Sequence, residues 1–162
     1  LLVSSAASDV YKRQYDDGEG ELTDAATAMD WIQTQNPSAT HCWVAGFSFG
    51  SWIGMQLMMR RPEIKGFISL SAPALTRDFA FLAPCPSSGL FIHGSDDEIV
   101  PSLALSRVLE KISIQKGAFI KDIIIQGADH FFNDHNNEMI EEVGKYIDTK
   151  IDKDGNFISN NA

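Results

Sequence analysis

The amino-acid sequence predicts an α/β fold, in which a parallel sheet is covered by helices on both faces. Short apolar runs that end at Ser, Pro or Gly alternate with longer segments whose apolar residues recur at helical spacing. Strands that take turns with helices are typical of parallel sheets, because each crossover lays a helix over one sheet face. The length of 162 residues, 44% of them hydrophobic and 22% charged, sets a limit of one globular domain.

The first half of the chain predicts two helices with a strand between them. The segment GELTDAATAMDWIQTQNP stops near Pro37 and repeats apolar residues at helical spacing: Leu22, Ala25, Met29 and Ile32. HCWVAG, which starts at His41, is short and apolar, as a buried strand is. GSWIGMQLMMRRP is apolar on nearly every side as far as Arg60, so we expect a largely buried helix that ends before Pro62.

The second half of the chain predicts three strands and two helices. IKGFISLSAP, GLFIHG and AFIKDIIIQG are short apolar runs bounded by Ser, Pro or Gly. PSLALSRVLEKISIQK begins with Pro101, a residue favoured in the first turn of a helix. It is expected to present its apolar residues on one face: Leu103, Leu105, Val108, Leu109 and Ile112. NNEMIEEVGKYIDTKI is a final amphipathic helix, and residues 152–162 follow it as a polar tail.

Charge and cysteine content exclude several classes of function. The formal net charge of −9 and the sequence pI near 4.7 argue against a nucleic-acid partner and against an anionic membrane surface. No apolar run in the sequence is long enough to span a bilayer. Cys42 and Cys85 are the two cysteines, and their placement favours reduced thiols in a cytoplasmic protein over a disulfide framework.

The first residues of the chain have a different character from the rest. Residues 1–14 carry neither a charged amino-terminal stretch nor a long apolar run, so they do not resemble a signal peptide. Residues 4–14, SSAASDVYKRQ, match codon for codon the translation of a transposase-type DNA library adapter. The alternative is an ordinary polar amino-terminal segment. We expect residues 1–14 to be non-native and residues 15–151 to form a partial domain.

Ser48 stands in the sequence GFSFG, between a predicted strand and a predicted helix. A nucleophile elbow has the pattern G-x-S-x-G at such a turn, where strand and helix approach so closely that the residues two before and two after the serine must be small. Gly46 and Gly50 occupy those positions. Taken alone, the pattern also fits a plain glycine-rich turn with a solvent-exposed serine.

An acid and a histidine follow Ser48, each in a loop after a predicted strand. HGSDDEIVP occupies residues 93–101, and GADHFF occupies residues 127–132. In a parallel sheet these loops lie at the same edge as the elbow, so the side chains can converge there. Together with WVAGFSFGSWIGMQLMMRRPEIKGFISLSAP and FLAPCPSSGLFIHG, these motifs resemble the α/β-hydrolase superfamily. More narrowly, they resemble small bacterial hydrolases without a large cap domain that are related to dienelactone hydrolases.

The resemblance implies a catalytic triad of Ser48, Asp97 and His130, with acyl transfer to water as its chemistry. The family spacing H-G-x-x-D-x-x-V-P selects Asp97. Asp96 is the alternative acid, and Glu98 is expected to be a solvated charge on the turn.

Three other histidines compete with His130 for the role of base. We expect His135 to open the last helix, His41 to start a strand, and His93 to form a local hydrogen bond at its strand end. A metal site made of His130, Asp134 and His135 would lack both a helical i, i+4 histidine pair and a set of thiolates, so no metal site is predicted.

The resemblance also implies an oxyanion hole. One donor would be the main-chain N–H of Phe49, and the second would come from a loop after an earlier strand, upstream of this chain. We therefore expect the sequence to represent the C-terminal part of an α/β-hydrolase fold, with weak or no activity. The elbow strand would then be an exposed apolar edge, which predicts a tendency to aggregate.

Aromatic and aliphatic residues near the motifs are candidates for substrate contact. Phe79, Phe81 and Leu82 could wall an acyl pocket, but core packing around a single helical turn is the alternative. The same choice applies to four further side chains, which either support the site or line it: Phe47, Phe49, Phe131 and Phe132.

The expected function is hydrolysis of a small or medium acyl ester, without a cofactor. Two alternatives share the motifs. An acyltransferase would pass the acyl group to an alcohol or amine in place of water, and a catalytically silent module of the same fold would bind a ligand or partner without forming an acyl-enzyme.

Overall fold

The computed structural model describes residues 15–113, 117–152 and 158, so the expected adapter-derived segment at 1–14 and most of the tail at 152–162 lie outside the described residues. The elements alternate as the sequence predicts: α1 (Glu19–Gln35), β1 (Cys42–Phe47), α2 (Phe49–Arg60), β2 (Ile64–Leu70), a short 3₁₀ helix (Ala80–Leu82), β3 (Gly89–Gly94), α3 (Ser102–Ser113), β4 (Ile120–Ile125) and α4 (Asn136–Asp148). None of these described helices combines the length and apolar character needed to cross a bilayer.

The strands of the described chain form one parallel sheet in the order β1, β2, β3, β4. Phe47 at the end of β1 pairs with Leu70, and Leu70 pairs with Ile92. Gly94 at the end of β3 pairs with Ile125 at the end of β4. The carboxyl ends of the strands therefore lie side by side, and the loops that carry Ser48, Asp97 and His130 start from the same edge.

Helices α1, α2 and α3 contribute to the core on one face of the sheet. Met55, Leu57 and Met58 of α2 are buried in the same cluster as Met29 of α1 and Leu105 of α3. Burial of one side chain of this size contributes about 1.5–3 kcal/mol. The prediction that α2 is largely buried is confirmed.

Helix α4 covers the opposite face. Tyr146 of α4 is buried there with Leu90, Ile92 and Ile125 from the sheet. The ring of Tyr146 also meets Trp43 of β1 edge-on, with 5.9 Å between ring centroids. Helices thus pack on both sides of a parallel sheet, and the predicted fold class is confirmed.

Helix α3 differs from prediction at one residue. Leu105 and Ile112 are each 1% exposed, whereas Leu103 is 64% exposed. Residues two apart in a helix point about 200° away from each other, because each residue turns the helix by about 100°. Leu103 and Leu105 therefore cannot share one face, and the prediction that places Leu103 on the buried face is wrong.

Both cysteines are thiols in the structure. Cys85 is buried at the border of the core under α2, and Cys42 at the start of β1 is half-buried. Burial raises the pKa of both thiols, because a thiolate loses solvation inside the protein.

Candidate active site

Ser48 forms the sharp turn between β1 and α2. Its backbone has φ +48° and ψ −120°, a conformation that a residue with a β-carbon rarely adopts. Strain of this kind costs about 1–3 kcal/mol and persists only where the surroundings enforce it. The main-chain N–H of Ser48 donates to the carbonyl oxygen of Leu70 at 2.8 Å, which fixes the turn to the end of β2.

The two glycines of GFSFG have different surroundings. A β-carbon on Gly46 would lie 2.4 Å from the carbonyl oxygen of Gly50 and 2.6 Å from the Cα of Ser51, so β1 and the first turn of α2 are in direct contact there. A β-carbon on Gly50 would meet no described atom within 4 Å. Within the described chain, the sequence-based requirement for a small residue therefore holds at Gly46 and is wrong at Gly50.

His130 lies between Ser48 and Asp97. Its Nε2 is 3.0 Å from Ser48 Oγ, and its Nδ1 is 2.8 Å from Asp97 Oδ2. An ionised carboxylate only accepts hydrogen bonds, so Nδ1–H donates to Asp97 and leaves Nε2 free to accept from the Ser48 hydroxyl. His130 and Asp97 are 4% and 5% exposed, so solvent screens this pair little. The structure brings together the three side chains that the motifs select.

Asp97 is held on its other side by the main chain. Its Oδ1 accepts from the N–H groups of Ile99 at 2.9 Å and Val100 at 2.7 Å. Asp96 instead lies exposed and accepts from the hydroxyl of Ser95. Of the two acids, Asp97 contacts His130, whereas Asp96 contacts Ser95 at the surface.

The loops that carry Asp97 and His130 are linked to each other. Ser95 Oγ accepts from the N–H of Gly127 at 2.8 Å, and the N–H of Asp96 donates to the carbonyl oxygen of Ala128 at 3.0 Å. A β-carbon on Gly94 would lie 2.0 Å from that same carbonyl oxygen. The two loops approach so closely that only glycine fits at the end of β3.

The other histidines do not contact Ser48. His135 is the residue before the first turn of α4, as predicted, and His41 is exposed just ahead of β1. His93 is buried with Nδ1 3.3 Å from Asp122 Oδ1, yet neither ring nitrogen forms a hydrogen bond within the described chain. The prediction of a local hydrogen bond for His93 is therefore wrong. In the described ranges, no group of three or more His, Cys, Asp or Glu side chains is arranged to hold a metal ion.

Two phenylalanine rings lie against His130 and against each other. The Phe47 ring centroid lies 5.3 Å from the imidazole centroid, and the Phe131 ring meets it edge-on at 5.1 Å. Phe47 is 39% exposed and Phe131 is 56% exposed, so both rings present apolar surface to solvent beside His130. Phe132, in contrast, is buried in the core against α4. The sequence alone left these roles open.

The three residues proposed to wall an acyl pocket pack in the core. Phe79 and Leu82 are buried in the same cluster as Met55 of α2, and Phe81 packs against that cluster with its ring stacked on Phe79 at 6.0 Å. The short 3₁₀ helix turns these side chains inward beneath α2. The structure thus supports the core-packing alternative for all three.

Phe49 begins α2, so its main-chain N–H has no acceptor inside the helix. Its ring contacts Tyr15 at 5.5 Å and Trp52 at 5.9 Å, and the guanidinium of Arg77 lies 5.3 Å above it. Arg77 also pairs with the carboxylate of Asp17 at 2.6 Å. Sequence reasoning missed this cation over the elbow helix, because a single arginine in a loop has no periodicity to reveal its position.

A cavity of about 440 Å³ opens at the start of β1, lined by residues that include Ile32, Cys42, Trp43 and Glu63. Ser48 follows the other end of the same strand. The cavity is therefore separate from the serine and its partners.

Comparisons with known proteins agree on the fold. No family model matches the chain. An uncharacterized protein from Rickettsia prowazekii (strain Madrid E) is 43% identical over 140 residues, which cover 84% of this chain and 59% of that protein. A solved protein of unknown function from Agrobacterium tumefaciens, regarded as a candidate alpha/beta hydrolase, is 51% identical with a TM-score of 0.82. The match covers 84% of this chain and 62% of that one.

A third match is an alpha/beta serine hydrolase without a lid from Xanthomonas campestris, 28% identical with a TM-score of 0.74 over 83% of this chain and 59% of that one. This chain therefore spans about three fifths of the length of these relatives. The resemblance indicated by the three motifs is confirmed, and the chain has the α/β-hydrolase fold.

Proposed function

We propose that this chain carries the catalytic residues of a serine hydrolase that cleaves ester-like acyl substrates. The observation that carries the proposal is the hydrogen-bonded series from Ser48 Oγ through His130 to Asp97 Oδ2, with lengths of 3.0 and 2.8 Å. A serine is a weak nucleophile unless a base accepts its proton, and a base is effective when a third group orients it. In the proposal, Ser48 is the nucleophile, His130 is the base and Asp97 is the group that orients the base.

In the proposed reaction, Ser48 Oγ bonds to the carbonyl carbon while its proton moves to His130 Nε2. The tetrahedral intermediate then breaks its bond to the leaving alkoxide, and His130 returns the proton to that alkoxide. Water attacks the acyl-enzyme by the same route, which releases the acid and restores Ser48. Asp97 keeps the imidazole oriented and stabilises its charged form in each step.

The N–H of Phe49 is the proposed donor to the developing oxyanion, since it lies directly after the nucleophile and has no intrahelical acceptor. Removal of one oxyanion donor from a hydrolase typically slows turnover by about 10² to 10³. This chain spans about three fifths of its relatives' length. We therefore propose the full rate of ester hydrolysis only for the whole protein. We expect slower turnover from this chain by itself.

The surroundings of Ser48 favour an apolar acyl group in an open site. Phe47 and Phe131 expose their rings next to His130 and next to each other. The segment between β2 and β3 contains one short 3₁₀ helix (Ala80–Leu82), which packs into the core beneath α2. The similar protein from Xanthomonas campestris is a serine hydrolase without a lid.

The proposal is tested with a fluorophosphonate probe, in which serine Oγ displaces fluoride from phosphorus and adds a measurable mass. The wild-type chain should gain one adduct, and both Ser48→Ala and His130→Ala should lose it. Ser51→Ala is the matched control, because Ser51 lies three residues further on with a buried hydroxyl that has no hydrogen-bond partner in the described chain. It should label as the wild type does.

Hydrolysis of p-nitrophenyl esters of increasing acyl length then tests the substrate class. Phe131→Ala should lower kcat/KM for the longer esters more than for the acetate, because the lost surface contacts only the longer chains. Adduct formation that persists in Ser48→Ala in a folded sample would rule out the proposed function.

A further inference from the structure

Ser71, directly after β2, joins the histidine loop to the sheet. Its hydroxyl donates to the main-chain carbonyl oxygen of His130 at 2.8 Å, across 59 positions of sequence. Its N–H donates to the carbonyl oxygen of Ile92 at 2.9 Å. Ser71 is 1% exposed, so this hydroxyl is not shared with solvent.

The backbone of Ser71 is unusual. Its φ is +47°, in the left-handed region where a β-carbon is disfavoured and glycine is the least strained residue. A serine at this position keeps the strain and supplies a hydroxyl that glycine lacks. Strained backbone at buried positions is typically found where the side chain or the turn serves a site.

Residues Leu70 and Ser71 connect both reacting groups. The carbonyl oxygen of Leu70 accepts from the N–H of Ser48, and the hydroxyl of the next residue holds the carbonyl of His130. The nucleophile and the base lie 82 residues apart in sequence, yet each is attached to the same two residues at the end of β2. In the same loop, Phe132 and Asp134 also have positive φ.

We propose that Ser71 is a positioning residue, whose hydroxyl sets the distance between His130 Nε2 and Ser48 Oγ. This inference rests on the proposed function for its kinetic consequence. Ser71 does not touch the reacting atoms, and it acts through the peptide that follows His130. Loss of the hydrogen bond would leave a buried carbonyl unpaired and let the imidazole shift relative to Ser48.

Ser69, near the end of β2, supplies a matched control. It is fully buried two residues earlier, but its hydroxyl has no hydrogen-bond partner in the described part of the chain. Ser69→Ala and Ser71→Ala therefore remove the same atom from similar surroundings, and they differ in the bond to His130. Ser71→Gly removes the hydroxyl and also relieves the backbone strain. It can therefore be compared with Ser69→Ala even if Ser71→Ala folds poorly.

The test measures the fluorophosphonate labelling rate and the thermal midpoint of each variant. We expect Ser71→Ala and Ser71→Gly to label at least about tenfold more slowly than wild type, since a small misplacement of a catalytic group can slow a reaction by about 10²-fold. Ser69→Ala should label at the wild-type rate. Slow labelling by Ser71→Gly together with an unchanged or raised melting temperature separates positioning from a loss of stability.

A second readout does not depend on activity. The ring proton on His130 Nδ1 is observed by NMR, and its resonance should shift in both Ser71 variants and stay in place in Ser69→Ala. If wild type is not labelled at Ser48, the proposed function fails while this readout still tests the contact. The inference would be overturned if Ser71→Gly were labelled at the wild-type rate. It would also be overturned if the His130 Nδ1 proton resonance did not move in either Ser71 variant.

Discussion

His130 meets Asp97 through a single carboxylate oxygen. Oδ2 lies 2.8 Å from His130 Nδ1, while Oδ1 is occupied by the N–H groups of Ile99 and Val100. A partial rotation of the carboxylate would therefore weaken the hydrogen bonds from both N–H groups, of which the Val100 N–H is buried. This arrangement fixes which ring nitrogen carries the proton, because Oδ2 can only accept.

Asp97→Asn should abolish labelling at Ser48 without unfolding the protein. The amide oxygen will remain with Ile99 and Val100, which turns the NH₂ group toward His130 Nδ1 and forces the opposite tautomer. Nε2 then carries a proton and cannot accept one from Ser48. A loss of about 10⁴-fold in rate is the expected magnitude for a wrong tautomer. Asp96→Asn is the matched control, and equal losses in the two variants would contradict the assignment of Asp97.

Alanine should have opposite effects at the two glycines of the elbow. Gly46→Ala places a methyl group 2.4 Å from the carbonyl oxygen of Gly50, and we expect destabilisation by about 1–3 kcal/mol with loss of labelling. Gly50→Ala meets open space within the described chain and should leave stability unchanged or raise it by up to about 1 kcal/mol, since alanine favours helix. Urea denaturation of both variants provides the comparison, and a strongly destabilised Gly50→Ala would be the contrary result.

The ion pair between Arg77 and Asp17 predicts a pH dependence at low pH. The hydrogen bond from Arg77 is the main cause that lowers the pKa of Asp17 below its ordinary value of 3.8. A lowered pKa in the folded state stabilises the protein above pH 3.8, and this contribution is lost as the pH falls through the lowered value. In Arg77→Gln, NMR titration should show the pKa of Asp17 rise toward 3.8. Arg107→Gln, at an exposed position on α3, should leave it unchanged.

Strand β1 should make the chain self-associate as concentration rises. It lies at one edge of the described sheet, and its sequence CWVAGF carries no charge. The opposite edge, β4, carries Lys121 and Asp122, and charges on an edge strand oppose further pairing. Sedimentation velocity should detect species larger than the monomer in the wild type. Phe47→Lys should lower the fraction of these species. Phe119→Lys, beside β4, is the control, and if it alone reduced association the β4 edge would be responsible.

The spacing of apolar residues was sufficient to predict the order of the four α-helices and four strands of the described chain. Positions that face the core are apolar, and they recur at the period of the helix or strand. The convergence of Ser48, Asp97 and His130 also followed, since parallel strands bring their carboxyl ends to one edge. The space for a β-carbon at Gly50 and the hydrogen bond from Ser71 to His130 could not be predicted from the sequence. Both depend on distances between segments remote in sequence, which no local spacing encodes. Arg77 over Phe49 is a third example.

The burial of Cys85 makes the chain its own reporter of unfolding. A thiol that is 8% exposed, with its pKa raised by the surrounding core, will react with an alkylating reagent mainly when the domain opens. The alkylation rate of Cys85 therefore reports how often the core opens. The alkylation rate of half-buried Cys42 in the same chain serves as the reference. One mass spectrum can then record both a phosphonate on Ser48, which marks an assembled site, and an alkyl group on Cys85, which marks a molecule whose core has opened.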